Sequence, residues 1–64
     1  MSRVFRVEIF YKDGGRQDVN VVAKDDATAR EIAIRLDAKT WKDNNARQPA
    51  IDYCEISLVL RITN

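Results

Sequence analysis

The first 23 residues show the clearest alternation of apolar and polar positions. Between residues 3 and 12 the inward positions of this alternation are Phe5, Val7, Ile9 and Tyr11. A period of two predicts a half-buried strand. Asp13-Gly14-Gly15 follows, and Asp-Gly favours a tight hairpin turn because both residues tolerate a positive φ. A return strand is predicted over residues 16–23, and its inward positions are Val19, Val21 and Ala23.

A helical period begins after Asp25, whose carboxylate can accept hydrogen bonds from the free N–H groups of a first turn. The helix is predicted from residue 26 to residue 39, with an extension as far as residue 42. Apolar residues recur at i, i+3, i+4 and i+7, which predicts one core-facing stripe. Its members are Ala29, Ile32, Ala33 and Leu36. A polar loop ends the helix before Pro49, which disfavours helix at the preceding residue.

The predicted helix carries a second apolar stripe on the side away from the first. Its members are Ala27, Ile34, Ala38 and Trp41. Ile34 and Trp41 are candidate anchors for a protein partner, because aromatic residues are enriched at the energetic centres of interfaces. An alternative for Trp41 is that it lies beyond the helix end and folds back over the edge of the core.

The last strand is predicted over residues 51–62, and a bulge could interrupt so long a run. One parity is the predicted core face, with Cys54, Ile56, Leu58, Leu60 and Ile62. The other parity holds Tyr53, Glu55, Ser57, Val59 and Arg61. Strand, strand, helix and strand, joined by a right-handed crossover, predict an α+β fold with a three-stranded antiparallel sheet of order 2-1-3 and one helix on one face. The length of 64 residues predicts one domain, 1–64.

The sheet face opposite the helix is predicted to be open and to carry a patch of Phe10, Val22, Tyr53 and Val59. Its predicted border is charged and consists of Arg6, Lys12, Arg61, Glu8 and Glu55. Aromatic residues beside arginines can stack on nucleic-acid bases. The interleaved carboxylates would repel phosphate, however, and the net charge is only +1, so a protein partner or a second copy fits better than nucleic acid. The last strand is an edge, which favours a homodimer or strand addition to a target. The candidate partner-binding residues are Phe10, Tyr53, Val59, Ile34, Trp41, Arg6 and Lys12.

The residue types present exclude most catalytic chemistry. The chain has no histidine and one cysteine, so neither a Ser-His or Cys-His pair nor a cysteine- or histidine-based metal site can form. We therefore expect no catalytic residue, no metal and no cofactor, and a chain that is not an enzyme. Cys54 is interpreted as a small buried hydrophobe, with a reactive thiol or an intermolecular disulfide as the alternative. A lone cysteine favours a cytoplasmic location, and no apolar run is long enough to cross a membrane.

The spacing Val19-x-Val21-x-Ala23-x-Asp25-x-x-x-Ala29-x-x-x-Ala33 resembles a layout of small bacteriophage and bacterial accessory proteins. Together with the element order, it is similar to the small T7-type phage inhibitor of host RNA polymerase and to small anti-defence proteins such as anti-CRISPRs. The resemblance covers about residues 16–36, concerns the layout of elements, and transfers no site residue. It implies a non-enzymatic inhibitor that binds a host protein or protein complex. The alternatives are a nucleic-acid-binding module that uses the open sheet face, and a structural homo-oligomer.

Overall fold

The computed structural model describes residues 2–62, and for Ile62 it describes the backbone only. The elements are strand β1 (Ser2–Tyr11), strand β2 (Arg16–Ala23), helix α1 (Asp26–Asp43) and strand β3 (Ile51–Ile62). β1 is the central strand and pairs antiparallel with both neighbours, which gives the order β2-β1-β3. The predicted α+β fold with its antiparallel sheet of order 2-1-3 is therefore confirmed.

A hairpin of regular register joins β1 to β2. Pairing runs from Arg3 opposite Ala23 to Phe10 opposite Arg16. At the turn, the backbone N–H of Tyr11 donates to the carbonyl of Gly15 at 2.9 Å, and the N–H of Gly14 donates to the carbonyl of Tyr11 at 3.1 Å. Gly14 has a φ of 93°, a backbone conformation that residues with a Cβ rarely adopt. The predicted hairpin is confirmed, and its turn is a three-residue loop with glycine at the left-handed position.

The core lies between the sheet and α1. It is formed by the buried residues Phe5, Val7, Ile9, Tyr11, Val21, Ala23, Ala29 and Ala33. The strand residues in this set are all ones that the alternation predicts to face inward, and Val19, the remaining inward position of β2, is partly buried against them. The alanines on α1 let the helix backbone approach the sheet closely, as native packing density requires.

Both ends of α1 are capped by side chains or backbone turns that the chain supplies locally. At the start, the Asp25 carboxylate accepts from the N–H of Thr28 at 2.8 Å, as predicted. At the end, the N–H of Asn45 donates to the carbonyl of Lys42 at 3.0 Å, and the N–H of Ala46 donates to that of Trp41 at 2.9 Å. Asn45 has a φ of 57°, and this combination is a Schellman motif. The motif explains why α1 ends at Asp43, one residue past the predicted limit.

The prediction of which helix face meets the sheet is partly wrong. The buried residues of α1 are Ala29, Ala33 and Asp37, whereas Leu36 is 45% exposed. Ile34 and Trp41 pack against the core and do not form a free outer stripe. Trp41 also lies inside α1 and not beyond its end. The helix is rotated because Asp37, a polar residue that no apolar stripe would include, is held against the sheet by hydrogen bonds described below.

Two irregularities in the pairing of β3 with β1 change which β3 residues face the core. The register shifts between Val4 and Phe5 and between Phe10 and Tyr11, which leaves Val59 and Asp52 as extra residues on β3. Such a bulge moves the residues beyond it to the other face. Leu60 therefore lies opposite Val4 and Arg61 opposite Arg3, so the predictions of a core Leu60 and an open-face Arg61 are wrong.

The remaining core-face predictions for β3 hold only in part. Cys54 and Ile56 are partly buried against the core, and Leu58 is 46% exposed. The predicted core position of the Ile62 side chain lies outside the described residues. α1 lies mainly over β2 and β1, so the helix-side surface of β3 has only partial cover.

Candidate protein-binding face

The sheet surface opposite α1, here called the open face, is a grid of side chains from all three strands. Its central column contains Val4, Arg6, Glu8 and Phe10, the even-numbered residues of β1 after Ser2. Their cross-strand partners on β2 are Val22, Asn20, Asp18 and Arg16, in that order. Their partners on β3 are Leu60, Ser57, Glu55 and Tyr53. The strand registers therefore place the chemistry of this face in three zones.

An aromatic pair forms the end of the open face near the hairpin turn. The rings of Phe10 and Tyr53 are stacked, with centroids 4.6 Å apart and planes inclined by 10°. They are a directly opposed cross-strand pair, the arrangement in which aromatic side chains contribute most to a sheet. Tyr53 remains 48% exposed, so one face of the stack is available for contact.

The middle of the open face is a band of charges that are mostly paired with each other. Arg6 contacts Asp18 at 3.0 Å, and Arg16 contacts Glu8 at 3.2 Å. Both pairs are solvent-accessible, and such pairs contribute about 0–1 kcal/mol each. Glu55 lies opposite Glu8 and makes no ion pair among residues 2–62. Two arginines against three carboxylates give this face a net charge of −1.

An apolar cluster forms the far end of the open face. Val22 and Leu60 are the two cross-strand neighbours of Val4, and they are 56% and 57% exposed. The bulged residue Val59 adjoins them along β3 and is 59% exposed. The cluster therefore presents aliphatic surface that no described element of the chain covers.

The structure brings together some of the sequence-predicted site residues and separates the others. Phe10, Tyr53 and Arg6 share the open face. Val59 adjoins its apolar end, and Lys12 lies exposed in the hairpin turn, where its N–H donates to the carbonyl of Ala50 at 2.9 Å. Ile34 and Trp41 pack on the core at the opposite side of the sheet and do not contribute to this face.

Sequence reasoning missed two members of the open face, Val4 and Leu60. Val4 is the first apolar residue of the β1 alternation on the outward parity, so its position was readable from the pattern. Leu60 was not readable, because its face depends on the bulge at Val59.

A buried hydrogen-bond network on the helix side also went unpredicted. The Tyr11 hydroxyl donates to Asp37 Oδ2 at 2.5 Å and accepts from Trp41 Nε1 at 3.0 Å. The Gln48 amide donates to the same carboxylate oxygen at 3.0 Å and to the carbonyl of Ile34 at 3.1 Å. Asp37 is only 2% exposed. The network joins α1 and the loop after it to the central strand.

The pKa of Tyr11 reflects its position in this buried network. Burial, and next the hydrogen bond to the Asp37 carboxylate, raise the pKa of Tyr11 to about 12. Its phenol is therefore protonated at neutral pH and serves as a hydrogen-bond donor. Because every donor of the network is already engaged within the fold, we interpret the network as structural.

Two further features lack the chemistry of an active site. Burial raises the pKa of the Cys54 thiol, and the neighbouring Arg30 guanidinium offsets this only in part, so the thiol is protonated at neutral pH and weakly nucleophilic. A shallow cavity of about 380 Å³ near the end of α1 is lined by neutral residues. These are Gln17, Thr40, Trp41, Asn44 and Ala46.

Within residues 2–62, no three potential ligand side chains lie close enough together to hold a metal ion. In the same part of the chain, α1 is neither apolar enough nor free enough of charge to cross a membrane. Comparison of the chain with protein-family models, curated proteins and solved structures finds no match. The open face is therefore the feature of the molecule that indicates a function.

Proposed function

We propose that the chain is a protein-binding module that acts without catalysis and recognises its partner with the open face. The observation that carries this proposal is the exposed apolar surface at Val22, Val59 and Leu60, with the Phe10–Tyr53 stack at the other end of the same face. Contiguous apolar surface with a polar surround is typical of protein interaction sites. Aromatic and aliphatic anchors at two ends, with a hydrated band between them, suit a partner surface that spans the sheet.

The charge pattern favours protein over nucleic acid as the partner. Binding to phosphates requires arginines or lysines that are free to replace counterions. On the open face, Arg6 and Arg16 are already engaged by carboxylates, and Glu55 adds a negative charge that has no ion-pair partner among the described residues. A complementary partner would place a lysine or arginine opposite Glu55.

A small module with one flat adhesive face can inhibit a larger protein by covering a surface that the larger protein needs. Together with the phage-like layout of residues 19–33, this supports an inhibitor of a host protein machine that works in the cytoplasm, in the manner of an anti-CRISPR or a transcription inhibitor. Its affinity would come from the apolar ends, since exposed ion pairs contribute little to binding.

The proposal is tested with tagged protein used to capture partners from a bacterial lysate, with and without nuclease, followed by mass spectrometry. We expect Leu60→Asp and Tyr53→Ala to lose a nuclease-resistant partner that the unmodified chain retains. Leu36→Asp is the matched control, because Leu36 has similar exposure but lies on α1. A partner that disappears with nuclease, or that all three variants retain equally, contradicts the proposal.

A further inference from the structure

β3 is the longest strand of the sheet, yet it contributes no fully buried side chain to the core among its described residues. All the buried apolar residues belong to β1, β2 and α1. Cys54 and Ile56 are only partly covered, and Leu58 is 46% exposed on the side of the sheet that α1 occupies. β3 therefore has the apolar composition of an interior strand but the solvent exposure of a surface strand.

The two edges of the sheet differ in how they discourage pairing with another chain. Edge strands in monomeric proteins are usually protected by charged and polar residues. Four of the first five residues of β2 have this character, namely Arg16, Gln17, Asp18 and Asn20. In β3, by contrast, Glu55 is the only charged residue between Tyr53 and Leu60. The outer edge of β3 has no strand partner within residues 2–62.

We propose that β3 pairs antiparallel with β3 of a second copy of this chain, about a two-fold axis that passes beside Ile56. The two sheets then form one continuous six-stranded sheet. A two-fold axis perpendicular to the sheet places both copies of α1 on the same side, so the partly covered residues of the two β3 strands line a shared seam between the helices. The two open faces adjoin on the other side and remain accessible.

The register follows from the two irregularities in β3 and from charge. The segment between Asp52 and Val59 is the regular part of the strand. Centring on Ile56 pairs residues 54–58 with their counterparts and keeps opposed residues on one face, with Cys54 opposite Leu58 of the second copy, Glu55 opposite its Ser57 and Tyr53 opposite its bulged Val59. Centring on Glu55 would oppose two carboxylates, which destabilises a sheet. Centring on Ser57 or Leu58 would oppose residues from different faces across the bulge.

A cysteine cross-link tests this register directly. Leu58→Cys places a new thiol opposite the natural Cys54 of the second copy, so mild oxidation should give a disulfide-linked dimer. The two thiols cannot bridge within one chain, because residues four apart on a strand are separated by about 13 Å and a disulfide needs Cα atoms within about 7 Å. The double variant Leu58→Cys/Cys54→Ser is the control and should remain uncross-linked.

Sedimentation equilibrium tests the association without any covalent bond. Across about 1 μM to 1 mM chain, the unmodified protein should show a monomer–dimer equilibrium, and Leu58→Lys should weaken dimerisation at least about tenfold because it places two charges in the seam. Leu36→Lys changes a leucine of equal exposure on α1 and should leave the equilibrium unchanged.

Three outcomes would overturn the proposal. These are a monomer over the whole concentration range, a dimer that Leu58→Lys does not weaken, and cross-linking of the double variant as readily as of Leu58→Cys. This inference does not depend on the proposed function, since an open-face variant on the far edge strand, such as Val22→Asp on β2, should leave dimerisation intact whether or not it loses a partner.

Discussion

At the scale of single residues, Asp37 is the one buried charged residue among those described, and it links α1 to the central strand. Its carboxylate is buried and accepts hydrogen bonds from Tyr11 and Gln48, while its other oxygen has no partner among the described residues. A buried polar group costs free energy unless it is hydrogen-bonded. The rotation of α1 that pairs Asp37 with Tyr11 also turns Leu36 toward solvent. It therefore accounts for two errors of the predicted helical stripe, which included Leu36 in the core and left Asp37 out of it.

We expect Tyr11→Phe to destabilise the fold by about 1–3 kcal/mol, because it removes the acceptor of Trp41 Nε1 and one donor to Asp37. The free energy of unfolding from urea titration is the measurement. Tyr53→Phe is a matched control, since the Tyr53 hydroxyl makes no hydrogen bond within residues 2–62 and its loss should change stability by less than about 0.5 kcal/mol. Equal effects of the two substitutions would show that the network contributes nothing.

The raised pKa of Tyr11 predicts a loss of stability at alkaline pH. An ordinary tyrosine ionises near pH 10, whereas folding raises the pKa of Tyr11 to about 12. The folded chain therefore holds this proton more tightly than the unfolded chain. The resulting stabilisation is complete below pH 10 and decreases as the pH rises from 10 to 12, by at most about 2–3 kcal/mol.

This alkaline loss is measured as the difference in unfolding free energy between the unmodified chain and Tyr11→Phe at pH 8 and near pH 11.5. All other side chains are common to the two proteins, so their contributions cancel in the difference. We expect the advantage of the unmodified chain to shrink at the higher pH. A difference that is constant with pH would contradict the assigned burial of the Tyr11 phenol.

At the scale of elements, the predictable parts of the fold are those with local signals. The alternation of β1 and β2, the Asp-Gly turn and the Asp25 cap all act within a few residues, and all are seen in the structure. Which residues of α1 and of the last third of β3 face the core depends instead on interactions between residues distant in the sequence. One is a hydrogen bond between residues 26 apart, and the other is a bulge set by the pairing with β1.

The same distinction decides how much of the candidate site was predictable. Tyr53 precedes the bulge at Val59 on β3, and Phe10 is its cross-strand partner on β1. The parity of both residues therefore predicted the open face correctly. Leu60 lies after the bulge and was assigned to the wrong face. Ile34 was assigned to an outer surface, and Trp41 was so assigned in one of two alternatives, because a helical pattern counts apolar residues and assigns no core position to a buried aspartate. The other alternative for Trp41, packing over the edge of the core, agrees with its contacts.

The end of α1 offers a test of local backbone chemistry. Asn45 adopts a φ of 57°, where glycine avoids the steric cost that a Cβ imposes. We expect Asn45→Gly to raise the unfolding free energy by about 0.5–1 kcal/mol and Asn45→Ala to lower it by about 1 kcal/mol. Thermal and urea unfolding provide the measurement.

The neighbouring Asn44 is the control for this pair of substitutions. It has a φ of −98°, and its side-chain amide donates to the carbonyl of Thr40 at 2.8 Å. Glycine relieves no strain there and removes a hydrogen bond, so Asn44→Gly should destabilise. Stabilisation by glycine at both positions would attribute the effect to something other than the left-handed conformation of Asn45.

At the scale of the whole molecule, the protein is elongated, with principal extents of 39 × 21 × 14 Å. A chain of this size buries only about 60% of the surface of its unfolded form, and its net stability is on the order of 3–10 kcal/mol. The buried apolar residues lie on β1, β2 and α1, while exposed aliphatic residues are concentrated at the far end of β3. The residues that hold the fold together are thus largely separate from those available for binding.

This separation predicts very different costs for two truncations of similar size. Ile9 is fully buried at the centre of β1, and Ile9→Ala should cost about 2–5 kcal/mol, enough to unfold much of the protein. Leu60 is 57% exposed on the open face, and Leu60→Ala should cost less than about 1 kcal/mol. Urea unfolding, monitored through the fluorescence of Trp41, measures the loss of stability in both variants.

Comparable losses for Ile9→Ala and Leu60→Ala would mean that the open face is part of the stabilising core, and that binding defects of its variants reflect unfolding. A much larger loss for Ile9→Ala than for Leu60→Ala would mean that the open face is separate from the stabilising core. A leucine that remains largely in water, that contributes little to stability and that adjoins Val22 and Val59 has no structural reason to be apolar. Contact with a partner would supply that reason, because association removes the same aliphatic surface from water that folding leaves exposed.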